Sequence, residues 1–500
     1  MKTFKSFIIL ILFLLVFTLT SCNEEEVFTD GLEYTLSDSG DCYSVSGIGT
    51  ATDADIIIPS KYNGKPVTSI KETAFENNYN LVSLSIPKTV ETIENKAFYN
   101  CYKLNKVQLN EGLKEIGDFA FYKCPLNESD VLTLPDGLEK IGIYAFFESQ
   151  FSYVIIPDTV NFIDKGAFSY NRGLCKVVLP EGLKSIEPHT FAYCTNLSNV
   201  ILPDSVEVIG ASAFNHIISI GDNSLPKNLK VIDAYAFSNC TFEELVIPEG
   251  VKYIGENAFR DSVFNDISLP DSLEYIESEA FSSDLHASRV QKLLNKSTKY
   301  GDCYYVGNEK NPYVCLVLCA SNPSDIIDIP SGTKIIMEEA FYNQSNIKEV
   351  NLPDGLMQIG QHAFSGCSSL IKVSIPDSVI NIDMECFDSC SSLKEAKLSA
   401  NLSKISERVF QECNSLETIE IPNNVSTIET LSFLDCTSLD NVIIGNGLLT
   451  IEESAFTGCK NLKTVYYRGS SEQWNNVYVD NSRYSNDRFV KANIIFNYNK

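Results

Sequence analysis

The stretch AFSGCSSLIKVSIPDSVINI, Ala363 to Ile382, decides the fold, because it returns in altered form and steady register along most of the chain. It opens on Ala363-Phe364, with Cys367 three residues after the phenylalanine. Leu370 follows, then Val373 and Ile375 alternate with polar neighbours, and Pro376-Asp377 comes next. Apolar residues at period two mean a short strand with one face buried. Proline has no N–H to give a ladder and ends the strand, and Pro-Asp favours a tight turn. Val379 and Ile382 then dip back inward.

The phenylalanine recurs as Phe75, Phe98, Phe121, Phe146, Phe168, Phe191, Phe214, Phe237, Phe259 and Phe281. After a gap of 60 residues it resumes as Phe341, Phe364, Phe387, Phe410, Phe433 and Phe456, always 23 apart. Alanine precedes it in 12 of the 16, which lets neighbouring backbone approach while the ring fills the middle. One unit of about 23 residues cannot bury its own apolar edges, whereas stacked units bury them against one another. The expected fold is therefore mainly β, a solenoid of about 16 coils in two blocks. With paired strands spaced by about 4.8 Å, the arc is on the order of 75 Å long.

Nine of the 16 cysteines fall three after a repeat phenylalanine, from Cys101 to Cys459, and Asn78 and Asn171 hold the same slot elsewhere. A small buried donor serving a neighbouring turn accounts for both residue types. Disulfides between stacked cysteines are disfavoured, since the coil spacing exceeds the roughly 3.8 Å that their Cβ atoms want. Cys315-x3-Cys319 and Cys386-x3-Cys390 lack the partners that a zinc site needs, and no metal or cofactor is expected.

The array is expected to break at 282–329. A short helix is predicted from Ser288 to Asn295, then a hairpin around Gly307–Pro312 within YGDCYYVGNEKNPYVCLVLC, Tyr300 to Cys319. Gly301-Asp302-Cys303-Tyr304-x-Val306 repeats Gly40-Asp41-Cys42-Tyr43-x-Val45, so the starting hairpin reads as reused to shield the first coil of the second block. The divisions expected are a signal peptide at 1–21, an acidic tether at 22–31 and a hairpin cap at 32–60. Repeats follow at 61–281, the insert at 282–329, repeats again at 330–467, and a cap at 468–500 with Trp474 covering the last coil.

Lys2 and Lys5 followed by the apolar run Phe7 to Leu19 form a secretory signal, too short for a confident membrane span. Leu19-Thr20-Ser21-Cys22 resembles the lipobox of bacterial lipoproteins. That resemblance implies cleavage before Cys22, diacylation there and stable anchoring. The acidic run Asn23 to Glu26 resembles the export tether of surface lipoproteins, and that resemblance implies the outer surface of a bacterial envelope. Cleavage would remove two lysines and take the net charge from −26 to −28. Such a body repels nucleic acid and anionic membrane surfaces, leaving the lipid as the membrane link.

The pattern of Ile/Leu-Pro-Asp, Val and Ile, Ala-Phe and Cys resembles the BspA-type leucine-rich repeat family of bacterial surface proteins over roughly residues 32 to 480. The resemblance implies adhesion or attachment through bound proteins and no catalytic residues. The residues agree: the four histidines are scattered, and there is no HExxH, GxSxG or phosphate loop. Acidic residues gather at the turns after proline. An enzyme is not expected. Residues two and four before proline point outward, so coils three to eight should form one continuous panel. Its candidate contacts are Tyr153, Ile155, Lys176, Val178, Ile201, Glu244 and Val246. The matching panel of the second block is polar. The expected partner is a host matrix or other cell-surface protein, with an envelope scaffold or glycan-capture protein as the alternative.

Overall fold

The computed structural model describes residues 27–499 apart from 128–129, 222–223, 278, 282–292, 295 and 483–484. The helix expected over Ser288–Asn295 and the lipobox with Cys22 lie mostly or wholly outside these residues. The described chain is a solenoid of about 18 turns, mainly β and almost without helix.

Each coil contributes two short strands and a turn-rich third side. The first strand is the alternating segment before proline, as in Tyr153–Ile155, Lys176–Val178 and Asn199–Ile201, which pair in parallel and in register. A tight turn follows, closed by bonds such as Val160 N–H to Pro157 O at 3.0 Å. The second strand is only two residues long, as in Lys140–Ile141 and Phe162–Ile163, and pairs with its equivalents next door. The third side holds Ala-Phe and two residues per coil with positive φ, one two before the phenylalanine and one two after it.

The phenylalanines form two interior spines. Successive rings from Phe75 to Phe281 stack with centroids 5.1 to 5.6 Å apart, and those from Phe341 to Phe456 stack at 4.8 to 5.6 Å. Beside them runs a ladder of thiols. Each of the nine repeat cysteines donates to the carbonyl of the phenylalanine 26 residues before it, as Cys101 Sγ does to Phe75 O at 3.1 Å and Cys459 Sγ to Phe433 O at 3.2 Å. Asn171 Nδ2 and Ser262 Oγ do the same for Phe146 and Phe237. Burial pushes the Cys194 thiol up to about 12, so the donor hydrogen stays on.

Both ends are built by irregular coils. Glu33–Leu36 pairs antiparallel with Tyr43–Gly47, which runs parallel to Lys65–Ile70. The body starts slightly ahead of this hairpin: Thr29 is buried and bonded to Asp55 and Ile57, which shortens the free tether expected over 22–31. At the far end Asn493–Ile495 extends one strand series and Tyr478–Val479 the other. Phe489 stacks on Phe456 at 4.6 Å, so the segment after 467 is a further degenerate coil whose ring continues the spine. Trp474 packs on Tyr467 at 4.9 Å, against the edge of that core.

The insert joins the blocks and does more than shield the second one. Cys303–Val306 and Cys315–Cys319 pair antiparallel, and the latter runs parallel to Ile335–Ile336. Their side chains divide between the two cores: Val306, Val314, Cys315 and Val317 enter the first, whereas Cys303, Tyr305, Leu316 and Cys319 enter the second. The edge strand Tyr275–Ile276 ends the first block, and Gln358 caps it. The buried Gln358 amide accepts from Ile276 N–H at 2.9 Å and donates to Ile276 O at 2.8 Å, reproducing the missing strand. Asp383 accepts from Gln358 Nε2 at 2.8 Å and from Tyr275 Oη at 3.2 Å. Asn311 adds a bond to Asp271 and Asn308 one to Leu269 O.

Candidate functional site: the outward strand faces

In nearly every three-residue first strand the middle residue is buried and its neighbours face out, because side chains alternate across a strand. Leu132, Val154, Val177 and Val200 line the core of the first block. Their neighbours register across Val131–Thr133, Tyr153–Ile155, Lys176–Val178 and Asn199–Ile201 into two rows. One row is Val131, Tyr153, Lys176, Asn199 and the other Thr133, Ile155, Val178, Ile201. Ile155 is 48% exposed and Ile201 64% exposed, on either side of the half-buried Val178. Lys176 Nζ lies 5.2 Å from the Tyr153 ring centroid, a cation–π contact that turns an apolar face partly polar.

Among the described residues, the panel expected over coils three to eight falls into two separate sheets. Asp222 lies outside the described residues, and Ser224 beside it belongs to no strand. Glu244–Val246 pairs instead with Asp266–Ser268 in a separate two-stranded sheet. Glu244 and the 45% exposed Val246 therefore stand apart from the other five candidates. The physical reason is local. Gly221 to Ser224 lacks the apolar–polar alternation that other coils carry before proline.

The second block wears a charged face. Glu349–Asn351, Lys372–Ser374 and Glu395–Lys397 are each exposed, buried, exposed, and Lys372 meets Glu395 at 2.8 Å. The ladder breaks after Lys397, where Ser399-Ala400 replaces the usual Pro-Asp. A cavity of about 630 Å³ opens at the break, with Lys397, Thr418 and Asn423 in its lining and an Arg468–Glu420 ion pair of 2.6 Å on one wall. Sequence reading missed this hollow, although the absent proline was its signal.

Titratable groups elsewhere support the frame. His362 Nδ1 and Arg408 both lean on Glu385, at 3.2 and 3.1 Å, tying one coil to the next. Burial and Lys165 lower the His189 pKa, which leaves that ring neutral. Among the described residues no group of three His, Cys, Asp or Glu gathers as a metal site. Nor is any described helix long and apolar enough to cross a membrane. The arrangement provides broad faces with fixed spacing.

The model of the BspA type leucine rich repeat region (six copies) matches residues 68–132, 128–242, 208–303, 319–440 and 368–487. Solved structures similar to the chain include a leucine-rich repeat protein from Bacteroides ovatus ATCC 8483, at 24% identity over 94% of this chain and 100% of that one, TM-score 0.39. A leucine rich cell surface protein from Faecalibacterium prausnitzii A2-165 is 26% identical over 90% of this chain and 97% of its own, TM-score 0.30. The T. pallidum leucine rich repeat protein is 30% identical over 38% of this chain and 89% of its own, TM-score 0.36. No curated protein matches the chain. With the repeat model spanning well over half of its length, the chain belongs to the BspA-type leucine-rich repeat family.

Proposed function

We propose that this chain is a lipid-anchored protein of a bacterial cell surface that binds a protein on host matrix or on another cell, and so acts in adhesion. The observation that carries this reading is the outward row Thr133, Ile155, Val178, Ile201 on four strands in register, with Ile155 and Ile201 exposed on either side of the half-buried Val178. An apolar row ringed by polar groups is the usual mark of a protein contact, and an aromatic such as Tyr153 at its edge suits a hot spot. Glu244 and Val246 belong to a secondary patch beyond the break. The reading as a binding scaffold also draws on the family, whose members are surface repeat proteins. Cys22 is the proposed attachment point.

The test immobilises a panel of matrix proteins and measures capture of the mature chain and of Ile155→Glu/Ile201→Glu. The double variant should lose capture at least tenfold with an unchanged melting temperature. Equal capture would remove the row from the account. Cys22→Ala should release the protein from cells into the medium, and retention on cells would contradict the anchor.

A further inference from the structure

The first block carries a second surface, on the turn-rich side of its coils. Tyr99, Tyr122, Phe147, Tyr170, Tyr193 and His216 stack one on the next at 4.6 to 5.1 Å. A parallel row starts with Phe119 and Tyr144, 5.6 Å apart, skips at Gly166 and resumes at His189. Gly166 stands there because a Cβ at that position would come within 2.2 Å of the Tyr144 ring. Tyr144 is turned 80° from Phe147, so it closes one end of a slot and does not join the stack. The ladder tilts by 44° at Phe147–Tyr170, beneath the same slot. The hollow between the two rows measures about 370 Å³.

The backbone makes this pattern unusual. The positions two before and two after the repeat phenylalanine have positive φ, a conformation that favours glycine and asparagine and is poor for bulky side chains. In the second block the latter positions hold Asn343, Gly366, Ser389, Glu412, Asp435 and Gly458. In the first block three consecutive ones hold Tyr170, Tyr193 and His216, at φ of 61°, 59° and 60°. Phe119, Tyr144 and His189 sit likewise at 56°, 50° and 60°. Five of the rings that line the slot are thus placed against local preference, and outside it His216, Tyr235 and His362 are placed the same way. The conformation belongs to every coil, so what singles out the slot is the run of rings that occupy it in successive coils.

The chemistry of the lining narrows the occupant. No carboxylate, ammonium or guanidinium lines the slot, on a chain of net charge −26. Its volume suits a small ligand and falls far short of the area a protein contact needs. The edges of the stacked rings, the crosswise Tyr144 ring and the phenol groups of the tyrosines match a ligand with apolar ring faces and hydroxyl edges. We infer that the slot between Tyr144, Tyr170 and Tyr193 binds one or two sugar rings of a neutral glycan. This site is independent of the strand row and does not rest on the protein-binding proposal.

The test is native electrophoresis of the full mature chain in gels holding a soluble neutral polysaccharide: hydroxyethyl cellulose, xyloglucan or galactomannan, with polygalacturonate as the anionic control. At least one neutral gel should retard the chain and polygalacturonate should not. Tyr170→Asn/Tyr193→Asn should cut the retardation at least tenfold and hold or raise the melting temperature, because asparagine suits the backbone there. Ile155→Glu/Ile201→Glu should leave retardation intact, which separates this site from the strand row. The inference is overturned if no neutral gel retards the chain or if retardation survives the asparagine variant. It is also overturned if that variant melts markedly lower, since the rings would then serve packing.

Discussion

The two blocks share an interior and differ in what they present. Phenylalanine spine, thiol ladder and paired strands are alike in residues 75–281 and 341–456. Outside, the first block shows Ile155, Val178 and Ile201 where the second shows Asn351, Ser374 and Lys397. At the positive-φ site two after the repeat phenylalanine, the first block places Tyr170, Tyr193 and His216 where the second has no ring. A repeat needs its inner positions to stack, so those positions carry the periodicity. The outer ones are free to differ, and functional specialisation follows that freedom.

The comparison breaks most visibly if the interiors are not equivalent. Phe191→Ala and Phe364→Ala each empty a fully buried ring site, and each should cost about 3–5 kcal/mol by urea denaturation. A large loss in one block and almost none in the other would show that the blocks are held by different means.

The joint comes next. Gln358→Ala strips two backbone bonds from the buried edge at Ile276 and should cost about 2–3 kcal/mol. It should also separate unfolding into two transitions, one per block. Asp383 sharpens this. Burial, the largest influence, raises its carboxyl pKa, against bonds from Gln358, Asn381 and Tyr275 that lower it. A carboxyl with its folded pKa above the unfolded value binds more protons when folded. Its contribution is therefore fullest at low pH and is lost as pH rises through the folded pKa. The stability difference between the native chain and Asp383→Asn should accordingly drift in favour of the variant from pH 4 towards 7. A flat difference would deny the carboxyl that role.

Smaller effects test the ladder. Cys194→Ala and Cys390→Ala should each cost about 1–2 kcal/mol, and the serine variants less, because serine keeps a donor for the same carbonyl. Smallest of all, Ile201→Ser should shift stability by no more than about 0.5 kcal/mol while weakening partner capture. A stability loss of core size at Ile201 would mean that the row packs against something within the chain.

Most of the fold was legible because Phe, Cys and Pro recur at 23-residue spacing, and a period is read without knowing any contact. What escaped is aperiodic. Phe489 lies 33 residues past Phe456, off the repeat, yet its ring continues the spine. Gln358 sits where most other coils carry an exposed or half-buried side chain, and the approach of Tyr275–Ile276 buries it. Among the described strands, Glu244 and Val246 lie in a different sheet from Ile201, and the sequence between them lacks alternation near Ser224. The aromatic slot had a signal as well, since Tyr170 and Tyr193 both lie two after a repeat phenylalanine. Its meaning depended on φ, which spacing alone does not reveal.

Hydroxyl-radical footprinting of the full mature chain, free and bound to a matrix protein captured in the panel, tests the central claim most directly. Labelling at Tyr153, Ile155 and Ile201 should fall on binding, while Leu449 and Tyr478, exposed at the far end, stay unchanged. Protection confined to the second block, or spread evenly over both, would contradict the assignment of docking to the first.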